Sequence, residues 1–294
     1  MDTTELMRQV RRIQVVTARL VDAHVSGEYH SVFKGRGMEF DEVRAYVPGD
    51  DVRAIDWNVT ARMGHPYVKH FCEERELTVV FLVDISGSMG FGSRQRAKAE
   101  RAAELTCLLA LSAVKNQDTI GLILFSDRIE RYLPPRKGRT AVMRLVREVL
   151  ASEETRRGTD LAAAIRFLGK VLKRRAVVFL VSDFMAPDFE KELRIMARRH
   201  DVIACPIHDP LELDLPDLGV LDVEDPESGE RLQVDTRAGR VRSAFRARAE
   251  AESRALDGLL QRLRLDRLAL STDRPFVDDV RRLFRLRQRR LRRG

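Results

Sequence analysis

Five oxygen-bearing side chains carry the clearest chemistry in this sequence: Asp84, Ser86 and Ser88 at every second position, Thr159 far downstream, and Asp183. The first three follow the apolar run Val79-Val80-Phe81-Leu82-Val83, and Gly87 and Gly90 loosen the turn there. Asp183 closes a second apolar run, "RAVVFLVSD". Between them Thr159 sits in Gly158-Thr159-Asp160, where it is also placed to cap the following helix. Two carboxylates and three hydroxyls are all hard donors. They suit Mg²⁺ (or Mn²⁺), which takes about six oxygen ligands and readily keeps waters. With only two charged ligands the ion stays electrophilic, and its remaining position favours a carboxylate from a partner protein.

That chemistry needs strands that end side by side. Neither apolar run alternates with polar residues, so both read as strands buried on two faces. From Leu77 the chain alternates strand and helix: strand 77–84, helix 95–116, "DTIGLILFS" with "RIERYLP" as an antiparallel partner, helices 140–151 and 160–172, strand "RAVVFLVSD", helix 188–200 and strand "DVIACPI". A hairpin insertion follows near 217–236, with its turn at Ser228-Gly229. Helix 240–263, strand "LDRLALS" and an Arg-rich helix close the chain. The pattern predicts an α/β fold with a doubly wound, mostly parallel sheet and helices on both faces. Ligands of such sheets bind at the carboxyl ends of the strands.

Upstream, Leu6, Val10, Ile13, Val16/Thr17, Leu20 and Val21 form one face of a helix that Ser26-Gly27 ends. Gly35-Arg36-Gly37 opens a turn-rich, charge-dense segment that ends in a strand, "HPYVKHFCEE". Two parts are therefore expected: residues 1–76, with a helix and a turn/strand segment, and residues 77–294, with the sheet. Within the first, Trp57 is expected in a core, and Asp56 or Asp51 bridging to Arg44 or Arg53.

The chain has 294 residues and a net charge of +8, from 53 Lys and Arg against 45 acids. That mild bias, with 6% aromatic residues and no stacking motif, disfavours a dedicated nucleic-acid binder. Cys72, Cys107 and Cys205 are widely spaced and form no Cys-x-x-Cys, which suits a reducing cytoplasm. No signal-peptide core opens the chain, and the longest apolar stretch, from Leu105, is too short to span a bilayer. The six histidines show no zinc spacing, and neither a P-loop nor a Gly-x-Gly-x-x-Gly is present. His208-Asp209 ends a strand on the same edge as the site; His208 is expected to be a satisfied loop histidine, with lining the site as the alternative. The basic end, "VRRLFRLRQRRLRRG", is expected to dock by its first turns and to leave a solvated last part.

Asp84-x-Ser86-x-Ser88, with Thr159 and Asp183, resembles the metal-ion-dependent adhesion site of von Willebrand factor A domains. "GRGMEFDEVRAYVPGDDVRAIDWNVTAR" and "VKHFCEERELTVVFLVDISGSM" resemble the bacterial domain of unknown function 58 family. "GLILFSD", "GTDL", "VSDF", "DPLELDLPDLG" and "DPESGE" extend the likeness over nearly the whole chain. The resemblance implies a von Willebrand factor A-like fold. It also implies Mg²⁺ or Mn²⁺ held directly by Ser86, Ser88 and one of Asp84, Thr159 or Asp183, the others acting through water. A partner's Glu or Asp would complete the shell. Such proteins are commonly encoded beside MoxR-type AAA+ ATPases, which implies a non-enzymatic adaptor or chaperone-like role. Many relatives carry N-terminal membrane spans, and this chain is expected to lack them. The competing reading is a metal-dependent phosphatase or hydrolase with Asp84 as nucleophile, like haloacid-dehalogenase phosphatases. Against it, the second acid of Asp-x-Asp is Ser86 here, and no lysine is clearly placed beside the site.

Overall fold

Val, branched at Cβ, and aromatic Phe fit a pleated surface buried on both sides. In this computed structural model they build β3 (Thr78–Asp84) and β6 (Val177–Ser182), paired in parallel from Val79↔Val177 to Val83↔Val181. The described residues are 3–21, 29, 32–33, 39–72, 76–93, 96–152, 158–225 and 229–291. The expected features at Ser26-Gly27, Gly35-Arg36-Gly37 and Ser228 lie outside them.

Beside that central pair stand β4 (Thr119–Phe125), β5 (Ile129–Arg136) and β7 (Asp201–His208). Two short strands, β10 (Asp266–Arg267) and β11 (Leu270–Ser271), both pair with β7. The order is β10-β7-β6-β3-β4-β5, and each pairing is parallel except β4 with β5. This is the doubly wound, von Willebrand factor A-like arrangement. "LDRLALS" is interrupted at 268–269, yet keeps one register along β7, because the Leu268 N–H still donates to the Ala204 carbonyl.

Strand alternation sends side chains to opposite faces. Val80 and Leu82 join Ile123, Phe125, Val178 and Leu180 in a core closed by α5 (Leu161–Val171), α6 (Glu190–Arg199) and α8 (Gly239–Arg262). On the opposite face Phe81 stacks on Phe179 at 5.5 Å. There α3 (Lys98–Lys115) and α4 (Arg139–Ala151) pack with α1 (Thr3–Leu20). Each such fully buried Leu or Phe contributes about 1.5–3 kcal/mol. In α1 Val10, Ile13 and Thr17 are buried, and the Thr17 hydroxyl meets Cys107 Sγ at 3.1 Å; Val16, also expected on that face, is exposed.

Contacts divide the chain into residues 1–32 with 78–294, and residues 33–77. The first helix belongs with the sheet, since its apolar stripe is buried against α3 and α4. In the smaller unit β1 (Glu39–Ala45) pairs antiparallel with β2 (Tyr67–Cys72), and α2 (Trp57–Met63) lies between them in sequence. Asp50, not Asp51 or Asp56, bridges to Arg44, at 2.6 and 2.8 Å. Asp51 instead accepts the Arg53 N–H, while Asp56 caps α2 through Asn58 and Val59 and pairs with Lys69. Trp57 is 67% exposed rather than in a core, because it opens a seven-residue helix that buries none of its side chains.

The hairpin insertion is β8 (Val220–Glu224) against β9 (Arg231–Asp235), preceded by the short α7 (Pro210–Leu213). In α9 (Val277–Leu291) Val280, Leu283 and Phe284 dock as expected. Its later part is more than a solvated end: Arg287 is largely buried and bridges Asp201 and Asp266. Among the described residues, no helix is long and apolar enough to cross a membrane.

Candidate functional site

Asp84 is the last residue of β3 and is fully buried. Its Oδ1 accepts the Ser86 N–H at 2.9 Å, and its Oδ2 accepts the Ser182 hydroxyl at 2.7 Å. The chain then turns through a 3₁₀ segment, Gly87–Gly90, pinned by the buried Met89. That turn sets the Ser86 and Ser88 hydroxyls 3.2 Å apart, and Ser88 donates to Asp183 Oδ2 at 2.7 Å. Four of the five candidate residues are thus joined by hydrogen bonds at the carboxyl ends of β3 and β6.

Two backbone features aim these groups. Phe184 adopts a left-handed φ of 60°, held by burial of its ring near Phe189 and by its N–H donating to Ser182 Oγ. A non-glycine residue there costs on the order of 1 kcal/mol, a strain typical of functional turns. The other feature is Gly92, where a Cβ would lie 2.3 Å from the Arg96 carbonyl oxygen. This close approach, with the Lys98 N–H donating to the Phe91 carbonyl, folds the start of α3 back onto the site.

Thr159 stands just before α5, where the Asp160 N–H donates to the Ser126 carbonyl beyond β4. The strand-end edge therefore carries it too. Its expected capping role belongs to Asp160, whose carboxylate accepts the Ala163 N–H at 2.7 Å. His208 ends β7 and, with Asp183, Met185, Glu212 and Phe245, lines a cleft of about 400 Å³. Asp209 is a hub, accepting from Ser93, Thr272 and Leu211.

Lys98 is the group that spacing alone missed. Its side chain is 0% exposed, and its Nζ donates to Asp183 Oδ2 at 3.0 Å and to Glu212 Oε1 at 2.7 Å. Burial alone would push this ammonium down, but Asp183 and Glu212 hold it above the usual lysine range. Local sequence carries no sign of it, since its partners are 85 and 114 residues away. The expectation that no lysine attends the site is corrected accordingly.

Burial, and then the neighbouring Asp183, push Asp84 up to about 7, against the opposing hydrogen bonds from Ser86 and Ser182. Asp84 is held by neutral donors, the Ser86 N–H and the Ser182 hydroxyl, while Lys98 contacts Asp183 and Glu212. Among the described residues no three His, Cys, Asp or Glu side chains converge for a metal. A cation here would rely on serine hydroxyls beside two acids, a donor set that fits Mg²⁺ or Mn²⁺.

The chain matches the family described as "Protein of unknown function DUF58" over residues 42–255. Uncharacterized proteins of Mycobacterium bovis and Mycobacterium tuberculosis are each 31% identical over 294 residues, covering 98% of this chain and 92% of theirs. Among solved structures, BatB from Bacteroides thetaiotaomicron is similar at a TM-score of 0.47 and 15% identity, covering 72% of this chain and 99% of BatB. The SpRpn10 VWA domain is similar at a TM-score of 0.40 and 11% identity, over 70% of this chain and 94% of that domain.

Proposed function

The chain belongs to the DUF58 family, and from that premise we propose that it is a non-enzymatic, metal-dependent protein-interaction module. In this reading it acts in the cytoplasm as an adaptor or co-chaperone of a MoxR-type AAA+ ATPase. The observation that carries the proposal is the joined set Asp84–Ser86–Ser88–Asp183, with its under-compensated buried carboxylate, at the end of a central strand. Ser86, Ser88 and one of Asp84, Thr159 or Asp183 hold the ion directly, and the others act through water. Bound Mg²⁺ or Mn²⁺ supplies a Lewis-acidic position for a carboxylate of the ATPase or its client.

The surroundings favour a protein partner. Phe91 and Met185 are 41% and 60% exposed, and each donates its backbone N–H to a site residue, Ser88 and Asp183 respectively. Apolar side chains around a polar centre suit a protein interface. A hydrolase using Asp84 as nucleophile is less well supported. That carboxylate is fully buried and both its oxygens already accept hydrogen bonds, while Lys98 engages Asp183 instead.

The test mixes the purified chain with a purified MoxR-type AAA+ ATPase, in Mg²⁺ and in EDTA. Wild type should retain the ATPase only with Mg²⁺, and Asp183→Ala should lose it in both. Equal retention in all four conditions would remove the site from the interface.

A further inference from the structure

Lys98 already pairs with a carboxylate of the candidate cation site. Its ammonium is 3.0 Å from the same Asp183 Oδ2 that accepts the Ser88 hydroxyl at 2.7 Å. One carboxylate oxygen thus faces both the serine pair and a fixed positive charge. The side chain is fully buried, and α3 anchors it from its first turn.

Its second partner is built to stay in place. Glu212 Oε1 takes the ammonium, and Oε2 accepts the Asp209 N–H at 2.8 Å. Asp209, in turn, is fixed by the Ser93 N–H, by the Ser93 and Thr272 hydroxyls and by the Leu211 N–H. Asp183 has an alternative donor in Ser88, whereas Glu212 has a rigid seat. The ammonium can therefore leave Asp183 and remain paired with Glu212.

Resting on the cation-site reading above, we propose that Lys98 is an internal competitor for the divalent ion. It neutralises Asp183 when no ion is present, and it weakens ion binding by like-charge repulsion when one enters. Glu212 is the parking place that keeps the displaced ammonium paired. Lys98 thereby sets the concentration range in which the site loads. Without it, the site would hold its ion more tightly, and the ion-free protein would be less stable because Asp183 and Glu212 would lose their shared cation.

The experiment measures Mn²⁺ affinity by electron paramagnetic resonance for wild type, Lys98→Met and Lys98→Arg, and the Mn²⁺-induced shift in melting temperature for each. Lys98→Met should bind Mn²⁺ at least about tenfold more tightly than wild type, as removal of a nearby positive charge requires. It should also melt lower without the ion and gain more from it. Lys98→Arg, which keeps the charge, should stay near the wild-type affinity. If wild type binds Mn²⁺ and Lys98→Met binds no more tightly, the competitor role is overturned while the cation site stands. Tightening in Lys98→Arg equal to that in Lys98→Met also overturns it, since size and not charge would be responsible. If no variant binds Mn²⁺, both readings fall.

Discussion

At the scale of single residues, Asp84 is a site carboxylate whose charge the fold tolerates poorly. Its carboxyl is pushed up to about 7 by burial and by Asp183. A carboxyl whose folded pKa exceeds its unfolded value binds more protons folded than unfolded between those two values. Stability of the ion-free protein therefore falls as pH rises from the unfolded range, near 4, through about 7. Between pH 5 and 8 this one group should remove about 3 kcal/mol. Urea denaturation in EDTA should show that slope in wild type and a flatter one in Asp84→Asn; parallel curves would reject the assignment. Ser182, which donates to Asp84, is a second check. Ser182→Ala strips a buried donor and should cost about 1–3 kcal/mol at pH 8, where Asp84 is ionised. Asp84, Ser86, Ser88 and Asp183 were legible in the sequence because each adjoins the end of an apolar strand. Lys98 and Glu212 were not, because a pairing across 114 residues leaves no local spacing to read.

Elements position these groups, and two of them can be tested separately. The turn from Gly87 to the start of α3 depends on Gly92, whose missing side chain admits the Arg96 carbonyl. Gly92→Ala should destabilise by about 1–3 kcal/mol in chemical denaturation, because backbone, not a flexible side chain, must move. An unchanged midpoint would mean that the loop does not need this approach. Elsewhere, α9 is tied to the sheet by Arg287 between Asp201 and Asp266. Arg287→Ala should cost about 1–3 kcal/mol, because Asp201 loses this partner and the largely buried Asp266 keeps only the exposed Arg290. By contrast Arg246→Ala, at the exposed pair with Asp214, should leave the unfolding midpoint almost unchanged. The same contrast explains what the basic C-terminal pattern hid. Its arginines read as one solvated run, but the fold selects Arg287, on the buried side of α9, for a structural pairing. Sheet order was accessible in outline, since two fully apolar strands must lie centrally. The interruption in "LDRLALS" was not, because its apolar alternation reads as one continuous strand.

For the whole molecule, residues 33–77 form one unit and the sheet with α1 forms another. The apolar face of α1 was visible in its spacing, but which unit it covers was not, because a helical stripe does not name its partner. Trp57 was expected inside a core, yet it is the chain's one tryptophan and is 67% exposed. Its native fluorescence should therefore be quenched by acrylamide nearly as strongly as in the unfolded chain; a protected, blue-shifted emission would contradict that exposure. Of the two units, the sheet unit carries the candidate chemistry, at the ends of β3 and β6. The most direct measurement of its role is a calorimetric Mn²⁺ titration of wild type beside the Ser86→Ala/Ser88→Ala double variant. One ion per chain bound by wild type, and none by the folded double variant, is the predicted result. Absence of saturable binding in wild type, or equal binding by both, would contradict the cation-site account.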